Sequence, residues 1–83
     1  MDKILIKLKV PVVNESYDLF VPEDMDIKSL AGVIADGVAS LNSGKYLVSG
    51  YELLSTVNPE MLLNPSCTLK DYSMANGTEM MLL

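Results

Sequence analysis

Eighty-three residues make one small domain with a single modest core, and a net charge of −5 with no histidine and no arginine sets limits on what it can do. The negative total repels polyanions, and without arginine there are no bidentate contacts to phosphate or guanine, so nucleic-acid binding is disfavoured. The apolar fraction of 49% is spread over alternating runs, and none approaches the roughly 20 unbroken apolar residues of a membrane span.

The N-terminus mixes lysine into its apolar run and carries no small-residue cleavage site, so no signal peptide is expected and a cytoplasmic location follows by default. Cys67 is the only cysteine, which precludes an internal disulfide and suits a reducing compartment. Met1 reads as a natural start, and the whole chain, residues 1–83, as one domain.

Residues 3–10 alternate, with Ile4, Ile6, Leu8 and Val10 on one face and Lys3, Leu5, Lys7 and Lys9 on the other. A period of two predicts a half-buried strand, with Leu5 breaking its polar side. Pro11 to Glu15 connect it to a second strand whose Tyr17, Leu19 and Val21 face inward and whose Phe20 is a second apolar residue pointing out. Pro22 cannot extend a ladder, and Asp26 is placed to cap a helix beginning at Ile27. The spacing of Ile27, Leu30, Ala31, Ile34, Val38 and Leu41 puts all six on one helical face. Gly32 and Gly37 weaken that helix by roughly 1 kcal/mol each relative to alanine, so packing on a sheet must hold it.

Asn42-Ser43-Gly44 ends the helix, and the stretch to Gly50 has no periodicity that assigns it. Tyr51 to Thr56 read as a third strand, with Tyr51 and Leu53 inward and Glu52 and Leu54 outward. Asn58-Pro59 breaks it. Met61 to Leu63 suit a short edge strand before the Asn64-Pro65-Ser66 turn. Asn76-Gly77 forms a tight corner, and Thr78 to Leu83 make the last strand, Met80 and Leu82 inward. A right-handed crossover through the helix then favours an α+β architecture, a mixed sheet of four to five strands curled around one helix. That arrangement is a β-grasp.

Three segments carry a resemblance. The loop Val21-Pro-Glu-Asp-Met-Asp-Ile27, the turn Leu69-Lys-Asp-Tyr-Ser-Met74 and the strand order together resemble the ubiquitin fold. Within it, Tyr17-Asp-Leu-Phe-Val-Pro22, Ile27-Lys-Ser-Leu30 and Asp71 to Leu83 are most similar to the YukD/EsaB family, ubiquitin-like proteins of bacterial type VII secretion systems. Residues 42–67 depart most from that family in length and composition. The resemblance implies a cytoplasmic, non-conjugated accessory or regulatory protein beside a membrane-embedded secretion machine. It also implies that the Tyr72 hydroxyl reaches back to a backbone group near Asn64.

Chemistry finds little support in the residues. The absence of histidine removes the usual general base near neutral pH and the commonest nitrogen ligand for metals, and no serine has a candidate base in reach. Glu23, Asp24 and Asp26 lack the alternating ligands and glycine of a calcium loop and suit the positive end of the helix dipole. Lys45 lies between Gly44 and Gly50 without a phosphate-binding loop motif. No catalytic residue, metal or cofactor is expected.

The outward sheet face is the candidate site. The resemblance to ubiquitin implies the second strand beside the first, the first beside the last and the last beside the third, and in that order Leu5, Phe20, Leu54, Met81 and Leu83 are expected in one lateral apolar row. Such a row marks a protein contact, with a cytoplasmic domain of a secretion apparatus or with a second copy. Two alternatives stand beside this reading. One is a sulfur-carrier or modifier protein of the same fold, which needs an activated C-terminal glycine that Leu82-Leu83 do not supply. The other is a ubiquitin-like domain cut from a larger protein.

Overall fold

Alternation at both ends of the chain sets the architecture. In a computed structural model describing residues 2–83, β1 (Lys3–Val10) and β2 (Glu15–Pro22) pair antiparallel, Lys3 opposite Pro22 through Val10 opposite Glu15. A single 3₁₀ turn, Pro11–Val13, joins them, and Asn14 closes it in the left-handed region at φ 54°. Asn tolerates that conformation because its short side chain limits the steric cost.

The helix α1 (Ile27–Leu41) begins where expected: the Asp26 carboxylate accepts from the Ser29 amide at 2.9 Å. That bond satisfies one of the unpaired amides of the first turn. It also holds the Asp26 carboxyl below its ordinary pKa, the backbone amide of Ser29 contributing most and its hydroxyl next. Six helix residues are buried, namely Ile27, Leu30, Ala31, Ile34, Ala35 and Val38. Leu41, expected on this stripe, is 67% exposed, and Ala35 takes a place in the core instead. Leu41 is the last helical residue; seven residues after Ile34 it lies on the same side of the helix, so its exposure comes from its place at the helix end and not from the direction it faces.

The remaining strands are short: β3 (Leu54–Val57), β4 (Glu60–Leu62) and β5 (Thr78–Leu82). The sheet order is β2-β1-β5-β3-β4, with β5 parallel to β1 and every other pair antiparallel. One mixed five-stranded sheet thus packs a single helix, the expected β-grasp. Ile4, Ile6, Leu8 and Val10 of β1 and Met80 and Leu82 of β5 point to the helix and form the core with it.

The long connection from β4 to β5 is tied to the rest at three places. Ile27 and Lys28 donate their amides to the carbonyls of Cys67 and Pro65, and Lys70 donates to Glu23. The Asn64 amide donates to the Tyr72 hydroxyl at 2.9 Å, the bond expected from the resemblance. Leu69 beneath this turn is fully buried. The helix of 15 residues is the only α-helix among the described residues, and it is not long and apolar enough to cross a membrane.

Candidate functional site

The phase of β3 decides which apolar residues reach the surface. Leu54 lies opposite Leu82, and directly opposed residues of an antiparallel pair share a face. Leu82 points into the core, so Leu54 does too, and it is fully buried. The expected outward Leu54 is therefore wrong by one residue of phase, and such a shift reverses every side chain on the strand. Tyr51 and Leu53, expected inward, are 87% and 41% exposed. The strand begins at Leu54, three residues after the expected start, and Tyr51 precedes it on an irregular segment.

The expected single row of five also divides. Leu5 and Phe20 face each other across the β1–β2 ladder, with Leu5 half-buried and Phe20 70% exposed. Met81 is level with Lys9 of β1, not with Leu5, which places it about 13 Å further along the strand direction. Lys7, Lys9 and Glu79 occupy the space between, and the Lys9 ammonium meets the Glu79 carboxylate at 3.8 Å. A charged band separates the two apolar areas.

The larger area gathers at the β5–β3–β4 end. Leu53 and Leu83 exchange two backbone hydrogen bonds at 3.1 and 2.9 Å, so their side chains share the outer face. Met81 lies opposite Ser55, and Ser55 lies opposite Leu62. Ser55 is completely buried beneath these neighbours, and its hydroxyl is satisfied by the Thr56 carbonyl at 2.7 Å. Leu62 is 58% and Leu83 50% exposed, and Met81 is half-buried. The surface continues past Leu83 into a cavity of about 270 Å³ whose walls include Val12 and Leu47. Sequence reasoning placed Met81 and Leu83 here but missed Leu53 and Leu62. The doublets Leu53-Leu54 and Leu62-Leu63 fit either phase, so nothing local resolved them.

Next to this area, residues 46–53 form a braced loop. The Glu52 carboxylate accepts from the Ser49 amide at 2.7 Å, the Ser49 hydroxyl at 3.0 Å and the Gly50 amide at 3.1 Å. Desolvation pushes the Glu52 pKa up, but these hydrogen bonds outweigh it and the net shift is downward. Tyr46 donates to the same carboxylate at 3.4 Å, and its phenol is raised by burial first and by the Glu52 charge second. The brace holds Leu47 and Tyr51 out in solvent, each more than 80% exposed. On the far side of this loop, a groove of about 460 Å³ runs along α1, lined by Ile27, Ala31, Leu53, Leu54 and Leu63.

Among the described residues, no group of three or more histidine, cysteine, aspartate or glutamate side chains is arranged to hold a metal. The arrangement offers apolar surface beside a loop braced by hydrogen bonds to the Glu52 carboxylate.

No protein-family model matches the sequence, and no curated protein matches it. Solved structures do match the fold. The ubiquitin-like domain of the Mycobacterium tuberculosis type VII secretion protein EccD1 is 11% identical, with a TM-score of 0.78, over 100% of this chain and 99% of that one. The EccD5 ubiquitin-like domain of Mycobacterium xenopi is 13% identical, with a TM-score of 0.72, over 100% and 94%. The ubiquitin-like domain of Plasmodium falciparum Dsk2 is 17% identical, with a TM-score of 0.73, over 98% and 96%. What the chain shares with all three is a helix held in a five-stranded mixed sheet, the ubiquitin-like β-grasp.

Proposed function

We propose that this chain is a non-catalytic, non-conjugated, cytoplasmic ubiquitin-like accessory protein of a bacterial type VII secretion system, working through protein contact. The observation that carries the contact is the outer-face area of Leu53, Leu62, Met81 and Leu83, contiguous across three strands and extended by Leu47 and Val12. Apolar side chains packed together on a sheet face exposed to water favour a partner that covers them, and Met81 adapts its shape to the surface it meets. The secretion assignment draws on the resemblance of residues 17–30 and 71–83 to the YukD/EsaB family. It is supported by two fold neighbours that are ubiquitin-like domains of type VII secretion proteins. The partner proposed is a cytoplasmic domain of that apparatus.

The test is a titration of the purified chain against purified cytoplasmic domains of a type VII membrane complex from the same bacterium. Met81→Glu with Leu83→Glu should weaken binding at least tenfold, while Phe20→Glu should leave it unchanged. Equal binding by the double variant and the parent would defeat the proposed surface, and no binding by the parent would defeat the partner.

A further inference from the structure

The groove of about 460 Å³ beside α1 opens on the helix side of the sheet, and a ligand there is independent of the secretion reading. Its floor is aliphatic and belongs to the core: Ile27, Ala31, Leu54 and Leu63 are each no more than 3% exposed. Ala31 leaves the room. Its neighbours on the buried helix face, Ile27, Leu30 and Ile34, carry longer side chains that fill the space above them. Pro65 borders the groove, and the segment from Gly50 to Leu53 makes a wall.

Protein interiors pack closely, and a hollow of this kind ordinarily closes by collapse of a side chain beside it. Here the wall is held off. The Glu52 carboxylate gathers the Ser49 amide, the Ser49 hydroxyl and the Gly50 amide, and the Ser49 hydroxyl accepts in turn from the Tyr51 amide at 3.1 Å. Gly50 sits at φ of +85° in this brace, a conformation open to glycine at no steric cost. Tyr51 is therefore kept at the rim, 87% exposed, instead of dropping in. A pre-formed apolar hollow with few polar groups, in the range of about 300–1,000 Å³, is what small-molecule sites have in common.

Two charged residues border the groove, Lys28 and Glu52. The Glu52 carboxylate already has its donors from the loop. Lys28 is exposed and forms no ion pair among the described residues; Asp26, which feels its charge, is engaged by the Ser29 amide. We propose that the groove binds a small amphiphile of the medium-chain carboxylate class, its aliphatic chain against Ile27, Ala31, Leu54 and Leu63 and its carboxylate at the Lys28 ammonium. Each methylene removed from water adds affinity, and the ammonium selects the sign of the head. With a net charge of −5 and Asp26 and Glu52 close by, one negative charge is as much as Lys28 offsets, so a single carboxylate suits the site and a polyphosphate does not.

The test adds decanoate, below its micelle concentration, to the ¹⁵N-labelled chain and follows amide chemical shifts. Shifts should gather on residues 27–31, 50–54 and 63–64, and affinity should rise from hexanoate through octanoate to decanoate. Decyltrimethylammonium, the same chain with the opposite charge, should bind at least tenfold more weakly. Lys28→Glu, at an exposed position, should weaken decanoate at least tenfold with the melt unchanged, and Ala31→Leu, which fills the floor, should do the same. Equal binding of decyltrimethylammonium, or equal binding of decanoate by Lys28→Glu, overturns the anionic head, and this holds even where Ala31→Leu does not fold. No shifts with decanoate, or shifts confined to the outer face at Leu62, Met81 and Leu83, overturn the site. Shifts of residues 27–31 caused by a purified secretion domain and by no carboxylate give the groove to a protein and overturn the choice of occupant.

Discussion

Leu53 and Leu83 lock together through reciprocal backbone hydrogen bonds of 3.1 and 2.9 Å, one residue beyond the point where Leu54 meets Leu82. The two pairs are adjacent and face opposite ways. One seals the core, and the other builds the surface proposed for partner contact.

Leu54 and Leu83 should therefore respond to truncation to very different extents. Leu54→Ala removes a fully buried side chain and is expected to cost about 3 kcal/mol, a Tm loss of roughly 12–24 °C in a domain of this size. Leu83→Ala, at a half-exposed position, should leave the melt within about 0.5 kcal/mol of the parent. Thermal denaturation by circular dichroism checks both, and a stable Leu54→Ala would contradict the phase of β3.

The helix cap should give the acid side of the stability curve. The pKa of Asp26 is lower in the native state than in the unfolded chain, so its contribution is complete above the unfolded value and is lost as pH falls through the native one. Asp26→Ala is expected to lower Tm at neutral pH and to show a smaller further decline on acidification. Asp26→Asn caps comparably without titrating, and it should keep most of the neutral Tm while flattening the acid slope. Tm measured against pH for the three proteins separates the cap from the charge.

Glu52 should be visible through Tyr46. Removing the carboxylate charge by Glu52→Gln takes away the influence that ranks second after burial in raising the phenol, so one tyrosine of the four should ionise at lower pH in an ultraviolet titration. Burial remains and keeps the phenol from returning fully to its ordinary value. An unchanged titration would mean that the carboxylate does not face Tyr46 in solution.

Tyr72→Phe should cost about 1 kcal/mol, because the Asn64 amide loses its acceptor while the ring stays packed against the core. A chemical-denaturation midpoint that moves without a change of slope is the expected record.

Gly32 should show the helix in isolation. Its Cβ position is open, so Gly32→Ala is expected to raise stability by roughly 0.5–1 kcal/mol through backbone entropy alone. A lowered Tm would mean that the glycine is needed for a close contact.

Much of this fold could be read along the chain because its signals are local. Ile4 to Val10 alternate, the 27–38 stripe has helical spacing, Asp26 stands one residue before the first helical turn, and Asn76-Gly77 marks the corner before β5, where Gly77 has φ of +87°. Each depends on residues within a turn or a pleat of one another. The outward positions of Phe20, Met81 and Leu83 followed from the same alternation, whereas the strand order came from the resemblance to the ubiquitin fold and agrees with the order observed.

Residues 51–63 depended on partners distant in sequence. Leu53-Leu54 and Met61-Leu62-Leu63 are apolar on both faces, so no periodicity selects a phase. Pairing with β5 selects it, by placing Leu54 against Leu82 and burying both. The same pairing sets Met81 level with Lys9 and leaves Leu5 and Phe20 beyond a charged band, which turned one expected row into two separate surfaces. The sequence by itself determined the elements and which face of most of them is apolar, because those follow from repeats of two and of about 3.6 residues. Only the tertiary structure decided the phase of β3 and the stagger of β5 on β1. These are relations between strands, and a strand's own residues do not encode its neighbour's register.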